Sequence, residues 1–77
     1  MVGRSVESAR TMAGMSVEDL ADRTKIRASI ITAIESGDFS ACGGDVYARG
    51  HLKSIAAVLG LDPDALLAEF DGGSGAG

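Results

Sequence analysis

A chain of 77 residues with one cysteine and one histidine has room for one small domain, no internal disulfide and no set of metal ligands at workable spacing. Apolar residues make up 45 %, chiefly Ala, Ile, Leu and Val, which suits a packed helical domain rather than a disordered one. The net charge of −4 argues mildly against a general nucleic-acid binder. All seven basic residues lie at or before Lys53 and meet seven acids there; Asp62, Asp64, Glu69 and Asp71 supply the excess. A binding surface can therefore still be locally basic. The longest apolar runs, 28–34 and 55–61, fall far short of the roughly 20 residues that span a bilayer, and no basic start leads into an apolar stretch as in a signal peptide. A soluble, cytoplasmic segment without direct membrane contact is expected.

The punctuation divides the chain into five helices. The first covers about 3–13, with Val2, Val6, Ala9 and Ala13 along one face and Gly14 ending it in the left-handed conformation. Ser16 caps the second, and Asp19 three residues on completes a capping box with Asp in the Glu position. Leu20 and Ala21 point inward, and this helix stops near Arg23 or Thr24. The third covers 27–36 with Ile26, Ile31 and Ile34 as its buried stripe, Gly37 as its terminator and Phe39 folding back over its end. After the loop "SACGGD", Asp45 caps a fourth helix over 46–59, closed by Gly60. In "DPDALLAEF" Asp62 is an N-cap and Pro63 occupies the first helical position, where its missing N–H costs nothing. The fifth helix ends near Phe70. The domain is thus 1–70, all-α, and "DGGSGAG" at 71–77 is a flexible linker or tail by composition. The second helix, the short turn and the third form a helix-turn-helix, as in repressor-like domains.

Two stretches, "SVEDLADRTKIRASIITAIESGDFSA" and "GDVYARGHLKSIAAVLGLDPDALLAEF", resemble the N-terminal cytoplasmic domain of RodZ-type bacterial proteins. The "ESGDFSA" and "GDVYARG" blocks carry the resemblance most specifically; the wider pattern is shared with phage-repressor-like regulators. The resemblance implies a five-helix domain, then a linker, one transmembrane helix and an outer domain. It also implies a role in cell shape through binding of the actin-like filament protein MreB or a cell-division partner. The sequence departs from that family at Cys42-Gly43, where the resemblance implies Leu-Pro. It departs again at His51, where a bulky aromatic forms part of the filament-binding surface.

Two surfaces are candidates for binding. On the helix-turn-helix, the positions that enter a major groove are Arg27, Ala28, Ser29, Ile30, Thr32 and Ala33. Base readout relies mostly on Arg, Lys, Asn and Gln, and only Arg27 has that chemistry. Arg23, Lys25 and Arg27, helped by Arg49 and Lys53, suit weak, salt-sensitive phosphate contact better than base recognition. On the fourth helix, Ala48, Leu52, Ile55, Ala56 and Leu59 form the buried stripe. Tyr47, His51, Ser54 and Val58 then occupy another face, with Arg49 and Lys53 as a basic pair beside it. An exposed tyrosine among apolar and basic neighbours is the chemistry of an interface; the plainer alternative is Tyr47 packed on the loop and His51 solvated. Gly50 inside this helix suggests a close helix crossing, or a partner's backbone. Cys42 lacks an activating neighbour and is expected to be a bystander thiol. Glu35 is expected to be a structural hydrogen-bonding residue. No acid, base and nucleophile converge in the pattern. A non-catalytic binding module without cofactor or metal is expected, with a protein partner first and a DNA-binding regulator second.

Overall fold

The structure, a computed structural model, describes residues 2–75, with side chains as far as Gly72. Five helices follow in order: α1 (Val2–Met12), α2 (Val17–Thr24), α3 (Ala28–Glu35), α4 (Asp45–Leu59) and α5 (Pro63–Gly75), with a turn of 3-10 helix at Ser40–Cys42. No strand occurs among the described residues, so the all-α expectation holds.

Local chemistry sets most boundaries. Gly14 takes φ 72°, and the Met15 N–H reaches back to the Arg10 carbonyl at 3.1 Å, which closes α1 in the left-handed manner that glycine allows at least cost. The Asp19 N–H donates to Ser16 Oγ at 3.0 Å and the Ser16 N–H donates to Asp19 Oδ2 at 3.1 Å. Asp19 thereby completes the capping box at α2. Gly37, at φ 85°, turns the chain after α3, where the Asp38 N–H finds the Ala33 carbonyl at 2.8 Å. Asp62 Oδ1 accepts from the Asp64 N–H at 3.0 Å, ahead of Pro63 as the first residue of α5.

Two boundaries differ from expectation. Asp45 is the first residue of α4 and not its cap; Gly44, at φ 128°, holds that position and no side chain caps the helix. Gly43 and Gly44 both have positive φ, so the backbone itself makes the entry, and Asp45 retains only its favourable place near the positive end of the dipole. The other is the end of α5, which passes Phe70 and runs to Gly75 where composition suggested a linker from 71 onward. Arg49 bonds the Asp71 carboxylate there. Residues 76 and 77 of that linker lie outside the described residues.

The core is aliphatic: Val2, Val6, Leu20, Ile26, Ile31, Ile34, Ala48, Leu52, Ile55, Ala56 and Leu66 are buried, together with Cys42. Each fully buried Leu or Ile contributes about 1.5–3 kcal/mol relative to exposure. α4 lies centrally, resting against α1, α2, α5 and the 3-10 turn. Phe39 and Phe70 meet edge to face at 4.7 Å and close the lower end of α5. Ala13, on the same face of the expected helix as Val2 and Val6, is exposed and lies just past the end of α1 at Met12. Ile30, taken as a groove-facing side chain, is partly buried and packs on the core.

Glycine has opposite roles at two positions. A Cβ at Gly3 would sit 2.5 Å from the Ile34 carbonyl oxygen and 2.6 Å from that of Glu35, so α1 and α3 cross at backbone contact there. At Gly50 an added Cβ meets nothing within 4 Å, and the helix crossing expected at that residue does not exist. Gly3→Ala should therefore destabilise by about 1–3 kcal/mol, since backbone must shift to relieve the overlap. Gly50→Ala should stabilise by up to about 1 kcal/mol. Denaturant midpoints of the two variants moving in the same direction would contradict this contrast.

Candidate binding surfaces

The helix-turn-helix surface is built by α2, the turn and the start of α3. Thr24 organises the turn: its hydroxyl donates to the Leu20 carbonyl at 2.7 Å and accepts from the Ile26 N–H at 3.3 Å. Lys25 then takes φ 62°, a left-handed conformation unusual for a residue other than glycine. It projects its side chain outward. Arg27 is the N-cap of α3 in extended conformation and makes no side-chain capping bond. Arg23, Lys25, Arg27, Ser29 and Thr32 are all exposed, while Ala28 and Ala33 are half-buried. No ion pair among the described residues holds Arg23, Lys25 or Arg27. Ile30 shares the partial burial of Ala28 and Ala33, and the cationic side chains of this surface are open to solvent.

The residues assigned to one surface of α4 separate into two. Residues two positions apart on a helix differ by about 200° around its axis, so Arg49 and Lys53 lie on the flank away from Tyr47, His51, Ser54 and Val58. Tyr47 is 63 % exposed, although its ring edge lies against the Gly43 position, at 3.6 Å from where a Cβ would stand. Ser54 is exposed and His51 half-buried. Val58 is partly buried and packs on the core, so like His51 it is only partly open to solvent. Between the flanks stand Val46, 79 % exposed, and Gly50. Sequence reasoning missed Val46 because a helix-starting residue next to a buried stripe carries no signal of its orientation until the entry turn is known.

Arg49 has intramolecular partners. Its guanidinium bonds the Asp71 carboxylate, one of the contacts at 3.2 Å, and lies over the Phe70 ring at 5.5 Å from the centroid. The Asp71 hydrogen bond holds the Arg49 proton more tightly than usual. Lys53, also exposed, is the remaining cation of that flank.

Glu35 has the structural role expected of it, through a partner the sequence did not reveal. Arg10 Nε and Nη2 donate to its two carboxylate oxygens at 2.7 and 3.0 Å, and Arg10 Nη1 donates to the Met15 carbonyl at 2.9 Å. The pair is mostly buried, with side chains 14 % and 9 % exposed. The hydrogen bond to Glu35 outweighs burial and raises the Arg10 pKa. A separation of 25 residues gave no local pattern to find it by. Cys42, placed in a loop by sequence, is buried at the end of the 3-10 turn. Burial, then the charge of Asp38, pushes its thiol pKa up, so the thiolate is disfavoured.

One further concavity, of about 450 Å³, runs between α1 and α5 and is open to solvent. Met12, 86 % exposed, stands beside Ala9, Leu61 and Ala65, with Arg4, Asp62 and Glu69 as its charged groups. Among the described residues no cluster of His, Cys, Asp or Glu could hold a metal ion. No helix there is long and apolar enough to cross a membrane.

Comparison with known proteins shows what this arrangement is similar to. A family model described as a helix-turn-helix domain matches residues 6–66. The cytoskeleton protein RodZ of Streptococcus pneumoniae is 32 % identical over 73 residues, which cover 95 % of this chain and 26 % of that protein. The uncharacterized membrane protein YmfM of Bacillus subtilis is 40 % identical over 55 residues, 71 % of this chain and 19 % of that protein. The chain thus spans between about a fifth and a quarter of the length of these relatives. No solved structure gives a significant match.

The Arg10–Glu35 pair ties α1, the first turn and α3 together, and losing one member leaves a largely buried charge unpaired. Arg10→Ala should cost roughly 2 kcal/mol, read as a lowered denaturant midpoint. Asp19 tests the cap by pH. The Ser16 backbone N–H and then its hydroxyl hold the Asp19 carboxyl below its ordinary pKa. The stability it contributes is therefore complete above the unfolded carboxylate pKa and is lost as pH falls toward the folded value. Asp19→Asn should lower the thermal midpoint at neutral pH and reduce the further drop on acidification; an unchanged acid limb would refute the cap's role in it.

Proposed function

The chain belongs to the helix-turn-helix domain family, in its RodZ-type form, and from that premise we propose that it is a non-catalytic, cytoplasmic binding module of a cell-shape protein. Its partner is a protein: an actin-like filament of the MreB kind, or a division protein, reached through the Tyr47 side of α4. The observation that carries this reading is the exposure of Val46 and Tyr47 at the start of α4. Adjacent large apolar side chains on the outside of a small domain bury area at little entropic cost when a partner covers them. Ser54 and the half-buried His51 extend the face along the helix. The name of the pneumococcal relative supports the cytoskeletal context. That of the Bacillus relative supports a tether, through a downstream transmembrane helix, that would keep this domain on the cytoplasmic side.

The opposite reading, a DNA-binding regulator, rests on Arg23, Lys25 and Arg27, three exposed cations without ion pairs among the described residues, beside an uncapped α3. It is the weaker one. Ile30 is partly buried against the core, and among the α3 residues that could face a groove only Arg27 has strong base-reading chemistry. Phosphate contact of this kind falls steeply between about 50 and 200 mM salt.

Tyr47→Ala should abolish binding to a purified actin-like filament protein while changing stability by no more than about 1 kcal/mol. A large loss of stability would show Tyr47 to be a core residue, and retained binding would remove α4 as the contact. Amide shifts on titration with duplex DNA should be absent, or should vanish with salt for every duplex alike. Shifts at 25–33 that persist at high salt, differ between duplexes and disappear in Arg27→Ala would establish the DNA reader instead.

A further inference from the structure

The end of α5 has little in its own composition to keep it helical. Beyond Phe70 come Asp71, Gly72, Gly73, Ser74 and Gly75, and glycine is the poorest helix former after proline. The last turn contains no basic residue, while Asp71 brings a negative charge toward the negative end of the helix dipole, where it is unfavourable. Contacts from outside the helix oppose these effects. The Arg49 guanidinium of α4 bonds the Asp71 carboxylate and covers the Phe70 ring. Phe70 is in turn seated against Phe39. One side chain of a neighbouring helix thus supplies the cation that the end of α5 lacks.

We propose that Arg49 is a latch: by holding Asp71 beside Phe70 it keeps the end of α5 helical and seated on α4, and so sets the direction in which the polypeptide leaves the domain. Releasing it would not unfold the domain, because Leu66, Leu67 and Phe70 anchor α5 to the core independently of Asp71. Residues 71–75 would change from about 1.5 to about 3.3 Å per residue, which extends the chain by roughly 9 Å. The pair is solvent-accessible, with side chains 38 % and 55 % exposed, so salt or a competing carboxylate reaches it. Arg49 is then an internal positioning residue, separate from the Tyr47 face, and this holds whichever partner that face binds.

The test is nuclear magnetic resonance on the labelled 77-residue chain. Cα shifts and amide exchange of 71–75 would be followed in the wild type, in Asp71→Asn, in Arg49→Gln and in the charge swap Arg49→Asp with Asp71→Arg. The latch predicts helical shifts at 71–75 in the wild type and their loss in both single variants, with the shifts of 64–67 and the thermal midpoint unchanged. The swap should restore them, and high salt should mimic the single variants. Coil shifts in the wild type, or helical shifts surviving in the single variants, would overturn the proposal. So would a loss that the swap does not repair, which would assign the effect to packing on Phe70 and not to the ion pair.

Discussion

The aliphatic stripe of α4, formed by Ala48, Leu52, Ile55 and Ala56, is the surface on which the rest of the domain depends. A chain of this size buries a modest share of its surface, and with few aromatics it must bury its small side chains efficiently. α1, α2, α5 and the 3-10 turn all rest on α4, so the rotation of that one helix decides what every other part of the molecule can present. Once the stripe faces inward, helical geometry places Tyr47 and Ser54 on one flank, Arg49 and Lys53 on the other and Val46 and Gly50 outermost. The exposure of Tyr47 is thus a consequence of burying Leu52 and Ile55.

Ion pairing then sorts the positive charges by role. Arg10 is enclosed by Glu35 and the Met15 carbonyl, and Arg49 is engaged by Asp71 and Phe70. Arg23, Lys25 and Arg27 remain open around the turn. A molecule with net charge −4 thereby keeps exposed cations on a helix-turn-helix whose Ile30 is partly buried against the core. Among the outward residues of α3 only Arg27 has the chemistry that discriminates bases well. The apolar exposure at Val46 and Tyr47 lies on a different element.

Sequence reasoning succeeded where the cause is local. The capping box of Ser16 and Asp19, the turns at Gly14 and Gly37, the Asp62-Pro63 start and the Ile26, Ile31 and Ile34 stripe each depend on residues within a turn of one another. It misjudged the start of α4 because two consecutive glycines offer a backbone entry that composition does not distinguish from a flexible loop. On α4 the helical repeat makes the exposure of Tyr47 legible but not that of Val46, and Arg49 lies on a flank that points away from Tyr47. Counting positions along the helix puts Val58 outside, whereas packing leaves it partly buried against the core.

The sequence by itself determined the helices, most of their ends and the aliphatic faces that must be buried, because propensity, capping and periodicity act over a few residues. Only the tertiary structure decided that Gly3 is a backbone crossing, that Gly50 is not, and that Cys42 is sealed in the core. It also decided which arginines are enclosed: Arg10 meets Glu35 and Arg49 meets Asp71 across separations of 25 and 22 residues. Such pairs depend on how helices are set against one another, and that is fixed by the packing of the whole core rather than by any segment of it.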